Sequence, residues 1–325
     1  MSLAVLSLFL VPAPGLADRP ATTPYRTSAE STASPSTDAI GLGNDSYERL
    51  TVKVRIGEDG PFRFLVDTGS DRTAISRQLA KRLGLERGTI ATIHSSTEAS
   101  QVQLASLNSL KFSRRTIDRV DAPLLDASSI GADGLLGLDS LAWHLVLFDF
   151  AGGTLSIRSR GEPEPALDPN AIIVRAKRRE GRLIITDAEA AGVPLGVILD
   201  TGSQYSIGNP ALRRKLEKQG AISSLGPMSL VSVTGQSLPG ELATVRRMRI
   251  GGVNLDDMLV VFADAHTFRI LGFESRPALL LGMSTLRSFD QVSIDFIGKR
   301  LGLVLPNGGH RESKTPGLHR PGVLA

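Results

Sequence analysis

Short apolar segments separated by turn residues run through most of the chain, from residue 46 to residue 305. They are rich in Val, Ile, Leu and Thr, and Gly, Pro, Asn or Asp stand between them. Because short β-prone runs bounded by turn residues are typical of all-β proteins, we expect an all-β fold. Helical spacing is limited to residues 76–85 and 210–219, and Asn209 and Pro210 suit the cap and first turn of the second helix.

The apolar pattern occurs twice. Residues 62–70 read FRFLVDTGS and residues 195–203 read LGVILDTGS, so in both places an apolar strand ends in Asp-Thr-Gly-Ser. Another β-prone segment and a turn precede each motif, at residues 51–61 and 183–194, which predicts a hairpin at the start of each half. Self-similarity of this kind is typical of a duplicated structural unit.

Two further segments repeat in the same order. A pair of apolar residues runs into Gly137 in the first half and into Gly282 in the second, and we expect both glycines to lie behind the Asp-containing loops. The segments that start at residues 149 and 295 then share the pattern Asp-Phe-x-Gly-x-x-Leu. The sequence therefore predicts a bilobal protein. Its two homologous lobes lie at residues 46–158 and 183–305, and a connecting segment lies at residues 159–182.

Composition and charge exclude several classes of function. The chain has 325 residues, enough for about two domains, and it contains no cysteine, which rules out disulfides, thiolate metal sites and a cysteine nucleophile. The net charge is +4, but the basic residues concentrate in residues 158–182 and in the tail after residue 305. The lobes are nearly neutral, so the charge does not indicate a nucleic-acid partner. We expect the basic stretch to be a solvated linker.

The two ends of the chain differ from the lobes. Residues 3–11 read LAVLSLFLV, an apolar run too short to span a bilayer but suited to the core of a secretory signal peptide over residues 1–17. We therefore expect export to the periplasm or beyond, without stable insertion in the membrane. Residues 18–45 are rich in Thr, Ser, Ala and Pro and are expected to form a disordered spacer or a propeptide, and residues 306–325 a disordered tail.

The chemistry of the repeat lies in Asp67 and Asp200. Each follows a buried strand and precedes a glycine that allows close approach of the backbone. If the two loops face each other, the carboxylates lie too close to ionise together and share one proton. The ionised carboxylate can then take a proton from water, and the protonated one can donate to a substrate carbonyl. This chemistry hydrolyses a peptide bond without a metal or a cofactor.

These motifs resemble those of the aspartic proteases, the pepsin and retropepsin clan, and in particular the bacterial retropepsin-like members. The resemblance implies that Asp67 and Asp200 are catalytic and that both lobes of the active site belong to one chain. It also implies that the Thr of each motif locks the two loops together and that the Ser hydrogen-bonds the catalytic carboxylate. The supporting positions are Thr68, Gly69, Ser70, Thr201, Gly202 and Ser203.

A polypeptide is the substrate that this resemblance implies, and we expect activity below neutral pH because hydroxyl donors favour the ionised carboxylate. Candidate flaps over the cleft lie near residues 89–104 and 229–242. The alternative is an inactive module of the same fold that only binds peptides. A metal site at the two aspartates is disfavoured, since no His or Glu stands near either motif at ligand spacing. Further oligomerisation is left open.

Overall fold

A computed structural model describes residues 3–5, 9–11, 40–41, 43–44, 50–85, 87–159 and 168–306. Most of the predicted signal peptide, most of the predicted spacer and nearly all of the predicted tail lie outside these residues. Residues 40–41 and 43–44 of the spacer form short strands, contrary to the expectation of disorder. The described residues are mostly strands with a few short helices, so the all-β prediction is confirmed.

The first half contains thirteen strands and three helices among the described residues. The strands are β1 (Leu3–Val5), β2 (Phe9–Val11), β3 (Ile40–Gly41), β4 (Gly43–Asn44), β5 (Leu50–Ile56), β6 (Asp59–Val66), β7 (Ala74–Ser76), β8 (Arg87–His94), β9 (Ala99–Phe112), β10 (Arg115–Leu125), β11 (Gly134–Leu136), β12 (His144–Asp149) and β13 (Thr154–Ser159). The helices are α1 (Arg77–Arg82), α2 (Ala127–Ile130) and α3 (Leu138–Leu141).

The second half repeats this order. Its strands are β14 (Ile172–Arg175), β15 (Lys177–Arg179), β16 (Arg182–Ile185), β17 (Ala188–Ala190), β18 (Val193–Pro194), β19 (Gly196–Leu199), β20 (Ser206–Gly208), β21 (Ile222–Ser232), β22 (Ser237–Ile250), β23 (Val253–Ala263), β24 (Ala278–Leu281), β25 (Gln291–Asp295) and β26 (Arg300–Val304). Its helices are α4 (Pro210–Lys218), α5 (His266–Ile270) and α6 (Met283–Leu286).

In the first lobe, six strands close into a barrel. Strands β5, β6, β11, β7, β10 and β9 pair in that order, and β9 then pairs with β5. Apolar and polar residues alternate along these strands, so side chains such as Val54, Phe64 and Leu107 point into the interior, where all three are buried. Burial of each such side chain stabilises the fold by about 1.5–3 kcal/mol.

The second lobe has the same strand order, except that its first strand is divided into two. Strands β16 and β17 together take the place of β5, and residues 186–187 separate them. Strand β16 pairs with β19, while β17 pairs with β22, in the way that β5 pairs with both β6 and β9. Both predicted opening hairpins are thus confirmed.

The predicted helices are confirmed, each within a few residues of its expected bounds. Ser76 caps α1, since its hydroxyl accepts a hydrogen bond from the backbone N–H of Leu79 at 3.0 Å. Asn209 caps α4 by accepting from the N–H of Leu212 at 2.9 Å, and Pro210 occupies the first turn. Because these caps satisfy N–H groups that the helix leaves unpaired, they determine where each helix begins.

A third sheet joins the lobes. Its strand order is β14-β26-β25-β12-β13-β3, and the two closing hairpins meet where β12 pairs antiparallel with β25. Leu147 lies opposite Ser293 at the middle of this pairing. The flanking side chains Phe148 and Val292 are buried in an apolar cluster that includes residues of both lobes. The lobes therefore share one core.

The connecting segment contributes strands to both neighbouring sheets. Residues 172–175 form an edge strand on β26, and residues 177–179 form a hairpin with β16. Residues 160–167 lie outside the described part of the chain. The expectation that the basic residues of this stretch are solvated is wrong for Arg182, whose side chain is 1% exposed.

Two long hairpins extend toward the region between the lobes. Strands β8 and β9 form the first, with residues 95–98 at the tip, and β21 and β22 form the second, with residues 233–236 at the tip. They coincide with the segments predicted as flaps. The short strands β1 and β2 lie along their outer edges, β1 parallel to β21 and β2 antiparallel to β8. Within the described residues, no helix has the length and apolarity needed to cross a membrane.

Candidate active site

Asp67 and Asp200 stand at corresponding places at the ends of β6 and β19. The backbone N–H of Asp67 donates to the carbonyl of Leu136 at 3.0 Å, and that of Asp200 donates to the carbonyl of Leu281 at 3.1 Å. Each strand is therefore held at its end by the neighbouring parallel strand, β11 or β24. Both aspartate side chains are 0% exposed.

A reciprocal network of hydrogen bonds joins the two loops. The N–H of Thr68 donates to Oγ1 of Thr201 at 3.0 Å, and the N–H of Thr201 donates to Oγ1 of Thr68 at 3.1 Å. The Thr68 hydroxyl in turn donates to the carbonyl of Leu199 at 3.1 Å, and the Thr201 hydroxyl to that of Val66 at 2.7 Å. Each hydroxyl thus binds only partners from the opposite lobe, so the loops fix each other's position.

The glycines of the two motifs allow each loop to approach the opposite carboxylate. A Cβ on Gly202 would lie 2.4 Å from Cγ and Oδ1 of Asp67, and a Cβ on Gly69 would lie 2.4 Å from Oδ1 of Asp200. No real Cβ tolerates such contacts, so only glycine fits at either position. The aspartates that the sequence placed 133 residues apart are brought face to face across the boundary between the lobes.

Backbone N–H groups hold the carboxylates. The N–H of Gly69 donates to Oδ1 of Asp67 at 2.8 Å, and the N–H groups of Gly202 and Ser203 donate to Oδ1 of Asp200 at 3.1 Å and 3.2 Å. Donors of this kind favour the ionised form of a carboxyl group. They also fix the orientation of its second oxygen.

The serine hydroxyls differ from the expectation. Ser70 Oγ donates to the carbonyl of Arg72, and Ser203 Oγ donates to the carbonyl of Tyr205, each at 2.7 Å. Because a hydroxyl carries one proton, it is not directed to the aspartate in either lobe. The tight turn after each motif places the carbonyl two residues further on within reach, so the hydroxyls stabilise the turn instead.

Gly137 and Gly282 lie directly behind the loops, as predicted. A Cβ on Gly137 would lie 2.4 Å from the backbone carbonyl carbon of Arg72, and one on Gly282 would lie 2.3 Å from the carbonyl oxygen of Tyr205. The loops close onto the bare backbone of these glycines. The same two carbonyl groups accept the serine hydroxyls, so glycine and serine together determine the shape of each turn.

Arg182 is a site residue that the sequence analysis missed. Its Nη2 donates to the carbonyl of Gly69 at 2.6 Å, and its Nη1 lies 2.6 Å from Oδ1 of Asp71. Burial lowers the pKa of the Arg182 guanidinium, while the charges of Asp71, Asp200 and Asp67 act in the opposite direction. Burial also raises the pKa of the Asp71 carboxyl, against the opposing effect of Arg182. No local pattern distinguishes this arginine from its solvated neighbours.

The tips of the two hairpins contact each other across the lobes. The hydroxyl of Thr97 donates to Oε1 of Gln236 at 2.7 Å, and Nε2 of Gln236 donates to the carboxylate of Glu98. His94 of the first lobe lies with Nδ1 2.8 Å from Nε2 of His266 in the second lobe. These contacts join the hairpin of the first lobe to residues of the second lobe.

The described residues contain no group of three or more His, Cys, Asp or Glu side chains that could hold a metal ion. The groups that the structure assembles are two buried carboxylates, held by backbone donors at the boundary between the two lobes. Such a pair can take a proton from one oxygen atom and give a proton to another.

The comparisons with known proteins agree with this architecture. The aspartyl protease family matches the chain in two regions, residues 52–140 and 186–285, which together make up more than half of its length. Each region runs from the opening hairpin of one lobe, through the aspartate loop, to the helix behind the glycine. No curated protein matches the chain. The chain therefore belongs to the aspartyl protease family.

Proposed function

We propose that the protein is an active aspartic endopeptidase in which Asp67 and Asp200 are the catalytic pair. The observation that carries the proposal is the contact of each motif's glycine with the opposite carboxylate, together with the reciprocal threonine bonds. Two carboxylates held this close cannot both ionise, so they share one proton. That state contains both the base and the acid that hydrolysis needs.

The reaction follows from the shared proton. The ionised carboxylate removes a proton from a water molecule, whose oxygen attacks the carbonyl carbon of the peptide bond. The protonated carboxylate donates its proton to the carbonyl oxygen, which gives a tetrahedral diol. The newly protonated carboxylate then gives its proton to the amide nitrogen, while the other carboxylate takes a proton from a hydroxyl of the diol. The C–N bond breaks, and the products are a carboxylic acid and an amine. The pair returns to the singly protonated state without a covalent intermediate.

The test is cleavage of a denatured protein by the purified chain between pH 4 and pH 10, with and without a statine-type transition-state analogue. We expect cleavage below neutral pH that the analogue abolishes. Asp67→Asn and Asp200→Asn should abolish the cleavage. Asp118→Asn is their matched control, because it makes the same chemical change at an exposed position on β10. Binding of peptides without cleavage under any of these conditions would favour the inactive peptide-binding module, and a rate optimum above pH 8 would contradict the acid mechanism.

We further propose that the protein is exported. The support is the apolar run at residues 3–11 followed by small residues and prolines, in the pattern of a secretory signal peptide. Expression of the full chain followed by cell fractionation and N-terminal sequencing tests it. We expect the processed protein outside the cytoplasm with its N-terminus near residue 18, whereas an intact N-terminus in the cytoplasmic fraction would contradict export.

A further inference from the structure

The chain contains one tryptophan, and it is exposed at the edge of a cleft. Trp143 lies in the turn between α3 and β12 and is 68% exposed. It lines a cleft of about 530 Å³ together with Leu138, Arg178 and Ile270. A large aromatic side chain left in water at the rim of a cleft is typical of a binding surface.

The cleft lies next to the aspartate loop of the first lobe. Asp71, four residues after Asp67, is part of its wall, and so is Gly181. Arg182 follows Gly181 and donates to the carbonyl of Gly69 in that loop. His94 at the base of the first hairpin tip forms another part of the lining. A peptide that passes between the aspartates and the hairpins can therefore extend into this cleft.

The indole ring is held in place by a cation. The guanidinium carbon of Arg178 lies 5.5 Å from the centroid of the Trp143 ring. Such a contact stabilises the orientation of the ring at an exposed site. Ile270, which is 36% exposed, contributes a second apolar surface to the lining. The cleft thus offers a flat aromatic wall together with aliphatic groups.

The charges in the lining do not select a charged side chain. Asp71 is paired with Arg182, and Asp139 accepts hydrogen bonds from the N–H and the hydroxyl of Thr73 at 2.9 Å and 2.7 Å. The remaining charges of the lining, on Arg178 and Glu180, have opposite signs. Recognition in this cleft therefore depends on shape and apolar contact.

We propose that this cleft is a substrate subsite for an aromatic or large aliphatic side chain, and that Trp143 is the residue that determines the preference. The proposal rests on the proposed function for the path of the peptide, but binding to the subsite does not require catalysis. Burial of one such side chain contributes about 1.5–3 kcal/mol, which corresponds to at least about ten-fold in affinity.

The test uses the single tryptophan as a reporter in the full chain carrying Asp67→Asn, so that peptides are not consumed. Two pools of randomised decapeptides are titrated, one rich in Phe, Tyr and Leu and one limited to Gly, Ser, Ala and Asn. We expect the apolar pool to shift the Trp143 emission to shorter wavelength at a concentration at least about ten-fold lower than the polar pool. Equal effects of the two pools, or no shift with either, would overturn the proposal.

Variants separate the role of the ring from that of the fold. In the Asp67→Asn background, Trp143→Phe should keep the affinity for a fluorescein-labelled apolar pool, while Trp143→Ala should lower it about ten-fold in fluorescence anisotropy. Ile173→Ala is the control, since it removes an exposed apolar side chain that does not line the cleft. Unchanged affinity in Trp143→Ala, or an equal loss in Ile173→Ala, would contradict the assignment.

The same variants distinguish this proposal from the proposed function. If the wild-type protein cleaves denatured proteins, mass spectrometry of the products should show one position with a preference for large apolar residues, and Trp143→Ala should remove that preference alone. If the apolar pool binds at Trp143 but the wild type cleaves nothing, the proposed function fails while the subsite stands. If cleavage occurs with the same preferences in Trp143→Ala, the subsite fails while the proposed function stands.

Discussion

Arg182 donates a hydrogen bond to the carbonyl of Gly69 at 2.6 Å, and so attaches the start of the second lobe to the aspartate loop of the first. The same guanidinium lies 2.6 Å from the carboxylate of Asp71. A single side chain, 1% exposed, therefore neutralises a largely buried carboxylate and holds the loop that contains Asp67. The lobes depend on each other at this point as well as at their shared sheet.

Substitution of Arg182 should lower the stability of the fold strongly. Arg182→Met keeps much of the side-chain volume but leaves Asp71 and the Gly69 carbonyl without this donor, and we expect a loss of about 2–4 kcal/mol in the free energy of unfolding. This is less than for a fully buried pair, because the Asp71 side chain is 30% exposed. Urea unfolding measures this loss in the free energy of unfolding. Arg182→Met combined with Asp71→Asn should recover part of the loss, and a single-variant loss below about 0.5 kcal/mol would contradict the account.

The hydrogen bonds of Thr68 and Thr201 predict that Val and Ser substitutions at these positions have different effects. Thr68→Val and Thr201→Val remove a hydroxyl that both accepts from and donates to the opposite lobe, so each should lower the stability by about 2–4 kcal/mol and also lower kcat. Thr→Ser at the same positions keeps the hydroxyl and should retain most of the stability and most of kcat. Thermal unfolding and peptide cleavage measure the effects. Equal behaviour of the Val and Ser variants would show that the cross-lobe bonds are unimportant.

The duplicated sequence predicted the symmetric parts of this site correctly, because those parts are determined locally. Strand, turn and cap signals lie within about ten residues of the elements they specify, as with Asn209 before α4. The glycines at 137 and 282 could be placed behind the loops because each follows an apolar pair at the same place in its half. Hence the repeated strand order, the opening hairpins and the two longer helices could be predicted from the sequence.

The asymmetric parts could not be predicted in this way. Arg182 stands in a run of basic residues, and only the tertiary fold buries its side chain against a loop 113 residues earlier. The hydroxyls of Ser70 and Ser203 have two acceptors within local reach, the aspartate and a backbone carbonyl, and the turn geometry decides between them. The contact of His94 with His266 likewise joins segments that no local pattern relates.

The contact between His94 and His266 predicts that the first hairpin is held less tightly against the second lobe at low pH. Burial, followed by the charges of His94 and Arg269, lowers the pKa of His266, and Asp264 acts in the opposite direction. A lowered pKa means that the contact stabilises the closed hairpins fully above about pH 6.5 and less as the pH falls. Protonation of His266 weakens its contact with His94, which costs about 1 kcal/mol, or about five-fold in the opening equilibrium.

Hydrogen exchange at the Ser95 amide measures this effect, because that N–H is bonded to the carbonyl of Glu98 within the hairpin tip. After correction for the intrinsic pH dependence of exchange, the protection of the amide should fall between pH 7.5 and pH 5. In His266→Phe, which keeps a ring but does not titrate, the change should be absent. Glu98, Asp264 and Arg269 are the other charged groups at this contact, and they are unchanged in the variant. Constant protection in the wild type would contradict the prediction.

The buried side chain of His144 affects the global stability. Burial lowers the pKa of His144 to about 4, and the nearby charge of Arg115 acts in the same direction. The neutral ring therefore stabilises the fold fully above about pH 6.5, and this contribution is lost as the pH falls toward 4. Between pH 7.5 and pH 5 the loss is about 2 kcal/mol. In His144→Phe, urea unfolding should show a pH dependence smaller by that amount, and an unchanged dependence would contradict it.

The central claim is that Asp67 and Asp200 act as one catalytic unit. Cleavage of a peptide substrate by Asp67→Asn, Asp200→Asn and the double variant tests it most directly, with thermal unfolding to confirm that each variant is folded. Because removing either half of a shared-proton pair removes the whole mechanism, each single variant should lose at least about a thousand-fold in kcat and the double variant no more than either single one. Substantial activity in a folded single variant, or losses that add in the double variant, would contradict the account.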